Sequence, residues 1–284
     1  MKKNGIGGRI FILLSFLFLY APILVLIVFS FNSANSMTVW KGFTLNWYRE
    51  LFRNEEILSA LWITLGVSFL AAIVSTLLGT MAAIGFRNLK KQVRTVCMTV
   101  NNIPLTNADI ITGVSMMLLF ILAVDAWNGT LGSWLNVKLN LGFWSLLIAH
   151  ITFDIPYVIL SVAPRLRQLD PNIYEAAQDL GDHGLHAFNK VVLPELMPGI
   201  VNGLLMAFTL SIDDFVISYF TAGAQIQTLS MVVYSMAKKR VSPEINAVST
   251  IMFVSVVALM VIFNLRQAQL TRQDKRRRAA LSGQ

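Results

Sequence analysis

Six apolar stretches of about 20 residues or more dominate this chain and fix what it can become. They cover residues 10–31, 57–86, 96–124, 141–162, 196–220 and 245–265. A helix rises 1.5 Å per residue, so about 20 apolar residues cross a hydrocarbon core roughly 30 Å thick. In lipid every backbone N–H and C=O must be paired within the protein, and a helix does this within a single segment. The expected fold is therefore all-α and integral to the membrane, a six-span helical bundle. Composition agrees: 55% of the 284 residues are hydrophobic and only 13% are charged. A soluble domain carries about 25% charged residues, so an ordinary soluble enzyme is excluded. The second stretch is long enough to tilt or protrude. The third is interrupted by a polar patch over 101–109, and the fourth contains Pro156. The first stretch follows Met1, Lys2 and Lys3 but exceeds a signal peptide's apolar region of about 7–15 residues. With no small-x-small cleavage site after it, it reads as a retained span.

The formal net charge is +8, and the distribution of the basic residues gives an orientation. With both termini inside, 16 of the 23 Lys and Arg fall in cytoplasmic segments and seven outside, the bias expected of a membrane protein. The resulting organisation is a cytoplasmic N-terminus over 1–9, a transmembrane domain over 10–267 with a large cytoplasmic loop over 164–194, and a basic cytoplasmic tail over 268–284. That tail suits an anchor on anionic lipid. Lys238, Lys239 and Arg240 fall outside on this orientation and run against the bias. An outer loop and a re-entrant or interfacial segment are both open for them, and neither gives them a function.

Chemistry-bearing motifs are missing. There is no phosphate-binding G-x-x-x-x-G-K-[ST], no G-x-S-x-G and no H-E-x-x-H. Cys97 is the single cysteine, so no intramolecular disulfide forms. His183 and His186 read as loop surface, and His150 as a residue that satisfies a backbone group or its neighbour Asp154, four residues on along one helical face. The expectation is a chain with no catalytic site, no metal, no resident cofactor and no nucleic-acid partner.

The loop between the fourth and fifth spans carries the most information. Asp170 is a good N-cap, Pro171 fits the first helical position, and Gly181 fits the residue past a helix end. This predicts a short helix over 171–180 with Ile173, Ala176, Ala177 and Leu180 on one face. A second short helix is predicted over 185–191, with Pro194 opening the fifth span. A helix this short is unstable alone and needs a partner surface.

Glu175-Ala176-Ala177, then Gly181, then nine residues, then Val191-x-Leu193-Pro194 resembles the E-A-A-x3-G-x9-I-x-L-P loop of permease subunits in binding-protein-dependent ABC importers. Valine stands at 191 in place of isoleucine, and Asp182-His183-Gly184 is more polar than that family usually shows. Four further segments, 29–33, 42–48, 208–214 and 241–247, are similar to the spermidine/putrescine permeases, their C-type subunit in particular. The resemblance implies a type I importer fold with a cytoplasmic coupling helix, in which Glu175, Ala176, Ala177, Gly181, Leu193 and Pro194 seat the chain on an ATPase. It also implies a homologous second permease, two ATPase subunits that hold the ATP and magnesium, and an extracytoplasmic polyamine-binding protein, all in membrane lipid.

The acidic residues near the spans support a cationic solute independently. Asp109, Asp154, Asp213 and Asp214 lie in or beside apolar stretches, where a carboxylate costs about 2.5–3.5 kcal/mol. No Lys or Arg sits in those stretches to neutralise them. Such acids face a polar path, or a basic residue of a partner subunit. Asp109, Asp213 and Asp214 are the expected path residues, and spaced ammonium groups would pair with them as charge-assisted hydrogen bonds. Trp47 is a candidate aromatic entry surface for cations, with an interfacial aromatic belt as the other reading for it and for Trp40. An importer for another cationic or metal-complex solute fits the same loop. A secondary cation transporter would leave the loop unexplained, and the chain has no internal repeat of the kind such transporters often show.

Overall fold

The computed structural model describes residues 6–34, 39–130, 132, 134, 137–170, 172–179, 184–239, 244–258, 260–262 and 265. Gly181, Pro171, Leu180, His183, Arg240 and the tail over 268–284 lie outside the described residues. The named helices are α1 (Ile6–Phe29), α2 (Asn46–Leu51), α3 (Glu55–Arg87), α4 (Lys91–Thr106), α5 (Asp109–Gly129), α6 (Phe143–Gln168), α7 (Ile173–Asp179), α8 (Gly184–Ala187), α9 (Leu193–Asp213), α10 (Val216–Thr221) and α11 (Leu229–Lys239). A final helix, α12, covers Glu244–Ile262. Among the described residues six helices are long and apolar enough to cross a membrane: α1, α3, α5, α6, α12, and α9 together with the turn before it. The fold is all-α, as the apolar pattern requires.

The fifth expected span differs from its sequence outline, while the third is interrupted inside its polar patch over 101–109, as the sequence indicates. The third is cut at Asn107 and Ala108, both extended, into α4 and α5. Pro104 removes an N–H from the last turn of α4, and Thr106 turns its hydroxyl back onto the Ile103 carbonyl at 3.0 Å. The fifth does not reach 220: α9 stops at Asp213, the chain extends at Asp214, and α10 begins at Val216. Hydropathy misses the second break because Ile212, Phe215, Val216 and Ile217 keep the sequence apolar across it.

The predicted second loop helix is also changed. Residues 184–213 form one continuous helical run, with a π-turn over Phe188–Val192 joining α8 to α9. Leu193 N–H reaches back five residues to the Phe188 carbonyl. Pro194 explains it: its ring lacks an N–H and crowds the carbonyl four residues back, and a π-turn relieves both.

The chain divides into two compact units. The first contains residues 1–59 and 232–265. Here Asn32, fully buried, organises the turn after α1. Its Nδ2 donates to the Val39 carbonyl at 2.7 Å, and its Oδ1 accepts from Lys41 N–H at 3.0 Å. Asn32 pairs with Phe43 as an isolated antiparallel bridge, and Gly42 takes φ +139°, a conformation side chains disfavour. The apolar window of α1 is entirely unburied.

The second unit contains residues 60–231, and α6 is its axis. Leu146, Ala149, Val158 and Val162 on α6 are completely shielded. α9 meets α6 through Gly199, Gly203, Ala207 and Ser211, spaced four apart and all buried. A Cβ on Gly199 would stand 3.0 Å from the Ser161 carbonyl, and one on Gly203 3.3 Å from Val158 Cα. Small residues at this spacing let two membrane helices pack backbone to backbone.

Candidate functional site

The loop helix is built as its sequence directs. Asp170 Oδ1 accepts Asn172 N–H at 2.9 Å, and its carbonyl accepts Ile173 N–H at 3.2 Å. α7 then covers 173–179; Pro171 and Leu180, the ends of the expected 171–180 helix, lie outside the described residues. Its two sides differ. Ile173, Tyr174 and the buried Ala177 turn inward, the first two onto a core that includes Val158, Val162 and Leu196. Glu175 and Ala176 are exposed, so Ala176 does not share the packed face with Ala177. Tyr174 O–H donates to the Gly184 carbonyl at 3.4 Å, which fixes α7 against the start of α8. Leu193 is half-buried and Pro194 exposed just past the π-turn. The outcome is a short helix held on the bundle by one face and presenting Glu175 and Ala176 outward.

The acidic residues converge from three helices. Asp109 is the first residue of α5 and exposed, Asp213 is the last of α9 and exposed, and Asp214 follows at the break with its side chain 9% exposed. Asp154, on α6, is fully buried, and neither carboxylate oxygen has a hydrogen-bond partner among the described residues. Gly113, one turn beyond Asp109 on α5, packs against Phe220 and the Val216 carbonyl of α10, and His150, one turn before Asp154 on α6, stands 3.7 Å from Asp214. No Lys or Arg bridges any of these acids among the described residues.

Asp214 is held firmly. Its carboxylate accepts Ile217 N–H at 3.3 Å and Ser218 N–H at 2.8 Å, capping α10 as an N-terminal acid does. Its carbonyl accepts the Ser230 hydroxyl at 2.6 Å. His150 secures the same break from α6. Nδ1 lies 2.6 Å from Ser211 Oγ on α9, and Nε2 lies 3.0 Å from Ser218 Oγ on α10 and 3.7 Å from Asp214 Oδ2. Contrary to the expectation from sequence, His150 bonds neither a backbone group nor Asp154 among the described residues. A histidine nine residues into an apolar stretch that starts at 141 is a usable signal, but its partners lie 61 and 68 residues away and no local pattern reveals them. The break itself rests on α5, where Gly113 lets Phe220 and the Val216 carbonyl approach.

Trp47 lies in the first unit. Its indole N–H donates to the Asn32 carbonyl at 2.7 Å, and the side chain is half-buried. Tyr48 beside it shares a hydrogen bond of 2.7 Å with Ser30, and its ring tilts against Phe31. Trp40 meets Phe29 edge-on and is exposed. Among the described residues no group of His, Cys, Asp and Glu is arranged to hold a metal.

Six helices of membrane-spanning length among the described residues, with breaks flanked by aspartates and a capped loop helix, fit the architecture of a transport permease. Residues 75–277 match the model of the binding-protein-dependent transport system inner membrane component, and the chain belongs to that family. It is 38% identical over 268 residues to the putrescine transport system permease protein PotI of Escherichia coli K12, covering 93% of this chain and 92% of that protein. It is 35% identical over 255 residues to the spermidine/putrescine transport system permease protein PotC of Haemophilus influenzae, covering 90% and 94%. Among solved structures, a bacterial ABC transporter that imports the acidic polysaccharide alginate superposes with a TM-score of 0.67 at 17% identity, covering 91% of this chain and 93% of that one. An amino acid ABC transporter with histidines gives 0.53 at 17% identity, covering 80% and 99%. The fold is thus that of type I ABC importer permeases.

Proposed function

We propose that this chain is the permease subunit of a polyamine importer, forming half of the path by which spermidine or putrescine enters the cell. The observation that carries the solute class is the placement of Asp109, Asp213 and Asp214 at the packed α5–α10 break, with no lysine or arginine bridging them among the described residues. Full-length similarity to two permeases named for polyamines supports the same reading. Ammonium groups spaced along a flexible chain are suited to carboxylates presented in series. Each site holds the cation and still releases it, as conduction demands.

In this reading both termini are cytoplasmic, and a homologous permease completes the path. Two ATPase subunits bind ATP and magnesium, and an extracytoplasmic binding protein delivers the solute. Glu175 and Ala176, exposed on α7, meet the ATPase, while Ala177 and Tyr174 transmit its movement to the bundle. Asp214 lines the path from the α9–α10 break, where His150 sets its position. Trp47 acts from the outer loop, its ring held by the bond to Asn32.

The test is uptake of radiolabelled spermidine and putrescine by polyamine-starved cells expressing the complete transporter, wild type against Asp214→Asn. Asparagine retains an oxygen to cap α10 but removes the charge. Losing a charge-assisted contact lowers uptake by roughly tenfold or more. Normal uptake by an assembled variant would make Asp214 a structural cap only. Absence of polyamine uptake by the wild type, with uptake of another cation, would move the proposal to that solute.

A further inference from the structure

At the end of the second unit that carries the loop helix, three arginines meet in one cavity that the transport reading leaves unused. Arg87 is the last residue of α3, Arg94 lies in the first turn of α4, and Arg167 is in the last turn of α6. They line a cavity of about 180 Å³ together with Phe86, Met98 and Leu166. Arg87 and Arg94 are half-buried, yet none of the three side chains has a hydrogen bond or ion pair among the described residues. Three guanidinium groups converging without a counter-anion repel one another, and their mutual cost falls sharply when an anion sits between them.

We propose that this cavity binds the phosphate headgroup of an anionic phospholipid. Guanidinium groups grip phosphate oxygens in forked pairs, so the charge and the donor geometry fit a phosphodiester. The apolar residues decide between sources. Phe86 and Leu166 each precede an arginine in the chain, and Met98 lies one turn beyond Arg94, so the cavity is amphiphilic at the scale of one helical turn. A free phosphate or an acidic loop of a soluble partner leaves that apolar lining wet. A phospholipid covers it with its glycerol and first methylenes while the phosphate meets the arginines. The setting suits a headgroup, because Arg87 and Arg167 close the span-length helices α3 and α6 and Arg94 lies in the first turn of α4. α4 also exposes Val93, Val96, Val100 and Ile103 on its other side, an apolar face that acyl chains would cover. Basic pockets between membrane helices recognise anionic headgroups in this way.

The experiment measures lipid, so its outcome is independent of which solute is carried. The assembled transporter is stripped with mild detergent, back-titrated with vesicles of phosphatidylglycerol or of phosphatidylcholine, and its bound lipid counted by native mass spectrometry. Wild type retains phosphatidylglycerol in preference to phosphatidylcholine. The triple variant Arg87→Gln, Arg94→Gln, Arg167→Gln loses that preference by about a hundredfold. The control Arg49→Gln, Arg53→Gln, which removes two exposed arginines of the other unit, leaves it intact. Equal loss in both variants would reveal diffuse charge attraction and overturn the built site. Displacement of the lipid by millimolar inorganic phosphate would make it a free-anion site. A triple variant that sheds its ATPase while keeping its lipid would assign the arginines to a protein partner. Should the triple variant fail to assemble, the wild-type titration decides alone: no preference for phosphatidylglycerol refutes the proposal.

Discussion

Replacing His150 with leucine isolates the contribution of one side chain to the helix break at Asp214. Leucine nearly conserves the volume but removes both ring nitrogens, leaving the Ser211 and Ser218 hydroxyls unpaired at 3% and 0% exposure. Interhelical hydrogen bonds in membrane proteins contribute about 0.6 kcal/mol on average and about 1.7 at most. Two of them therefore set the loss at roughly 1–3 kcal/mol. For a unit of this size that lowers the apparent melting temperature by about 3–10 °C. The assay is thermal unfolding of the detergent-solubilised transporter by intrinsic fluorescence, with His150→Gln alongside. Glutamine supplies a donor and an acceptor and recovers part of the loss. Transport adds a second readout. If His150 positions Asp214, the leucine variant raises the KM for uptake more than it lowers the maximal rate in the surviving assembled protein. A leucine variant that melts within about 1 °C of wild type, with glutamine no different, refutes the account of the break.

Ala176→Trp places bulk on the exposed face of α7; it leaves the melting temperature of the isolated chain unchanged and abolishes solute-stimulated ATP hydrolysis in the complete transporter, read by phosphate release. Gly199→Val drives a branched side chain into the Ser161 carbonyl and Val162, costing about 1–3 kcal/mol as overpacking does, and appears as loss of folded protein in the membrane fraction. Gly223→Ala forces a side chain into φ +72° with its Cβ 2.5 Å from the Leu141 carbonyl, and destabilises by at least about 1 kcal/mol in the same melting assay.

The spans and the loop helix were legible because their signals are local. Twenty apolar residues in a row can do little else in lipid, and Asp170 caps α7 through atoms two and three residues away. The acids were legible as residues out of place in apolar sequence. What escaped was their arrangement. Asp213 and Asp214 are neighbours in sequence, yet one is exposed at a helix end and the other is folded back as a cap, because the break falls between them and α10. Hydropathy could not locate that break, since Ile212, Phe215, Val216 and Ile217 are apolar on both sides of it. The π-turn was equally hidden. Pro194 announces a disturbance, but whether the chain ends a helix there or absorbs the strain in a wider turn depends on α6 packing alongside. His150 was read as local because its partners are on other helices.

Asp109 and Asp213 have a consequence for how this unit sits among lipids. Both are exposed, both stand where a spanning helix has been interrupted, and Gly113 and Phe220 hold the two interruptions against each other. At a helix end the last carbonyls lack their intrahelical partners, and acyl chains offer none in exchange. Hydrocarbon therefore cannot wet this patch. A copy exposed to acyl chains on this side would have to drag water inward or thin the membrane locally, so whatever lies against the patch must be polar or wet.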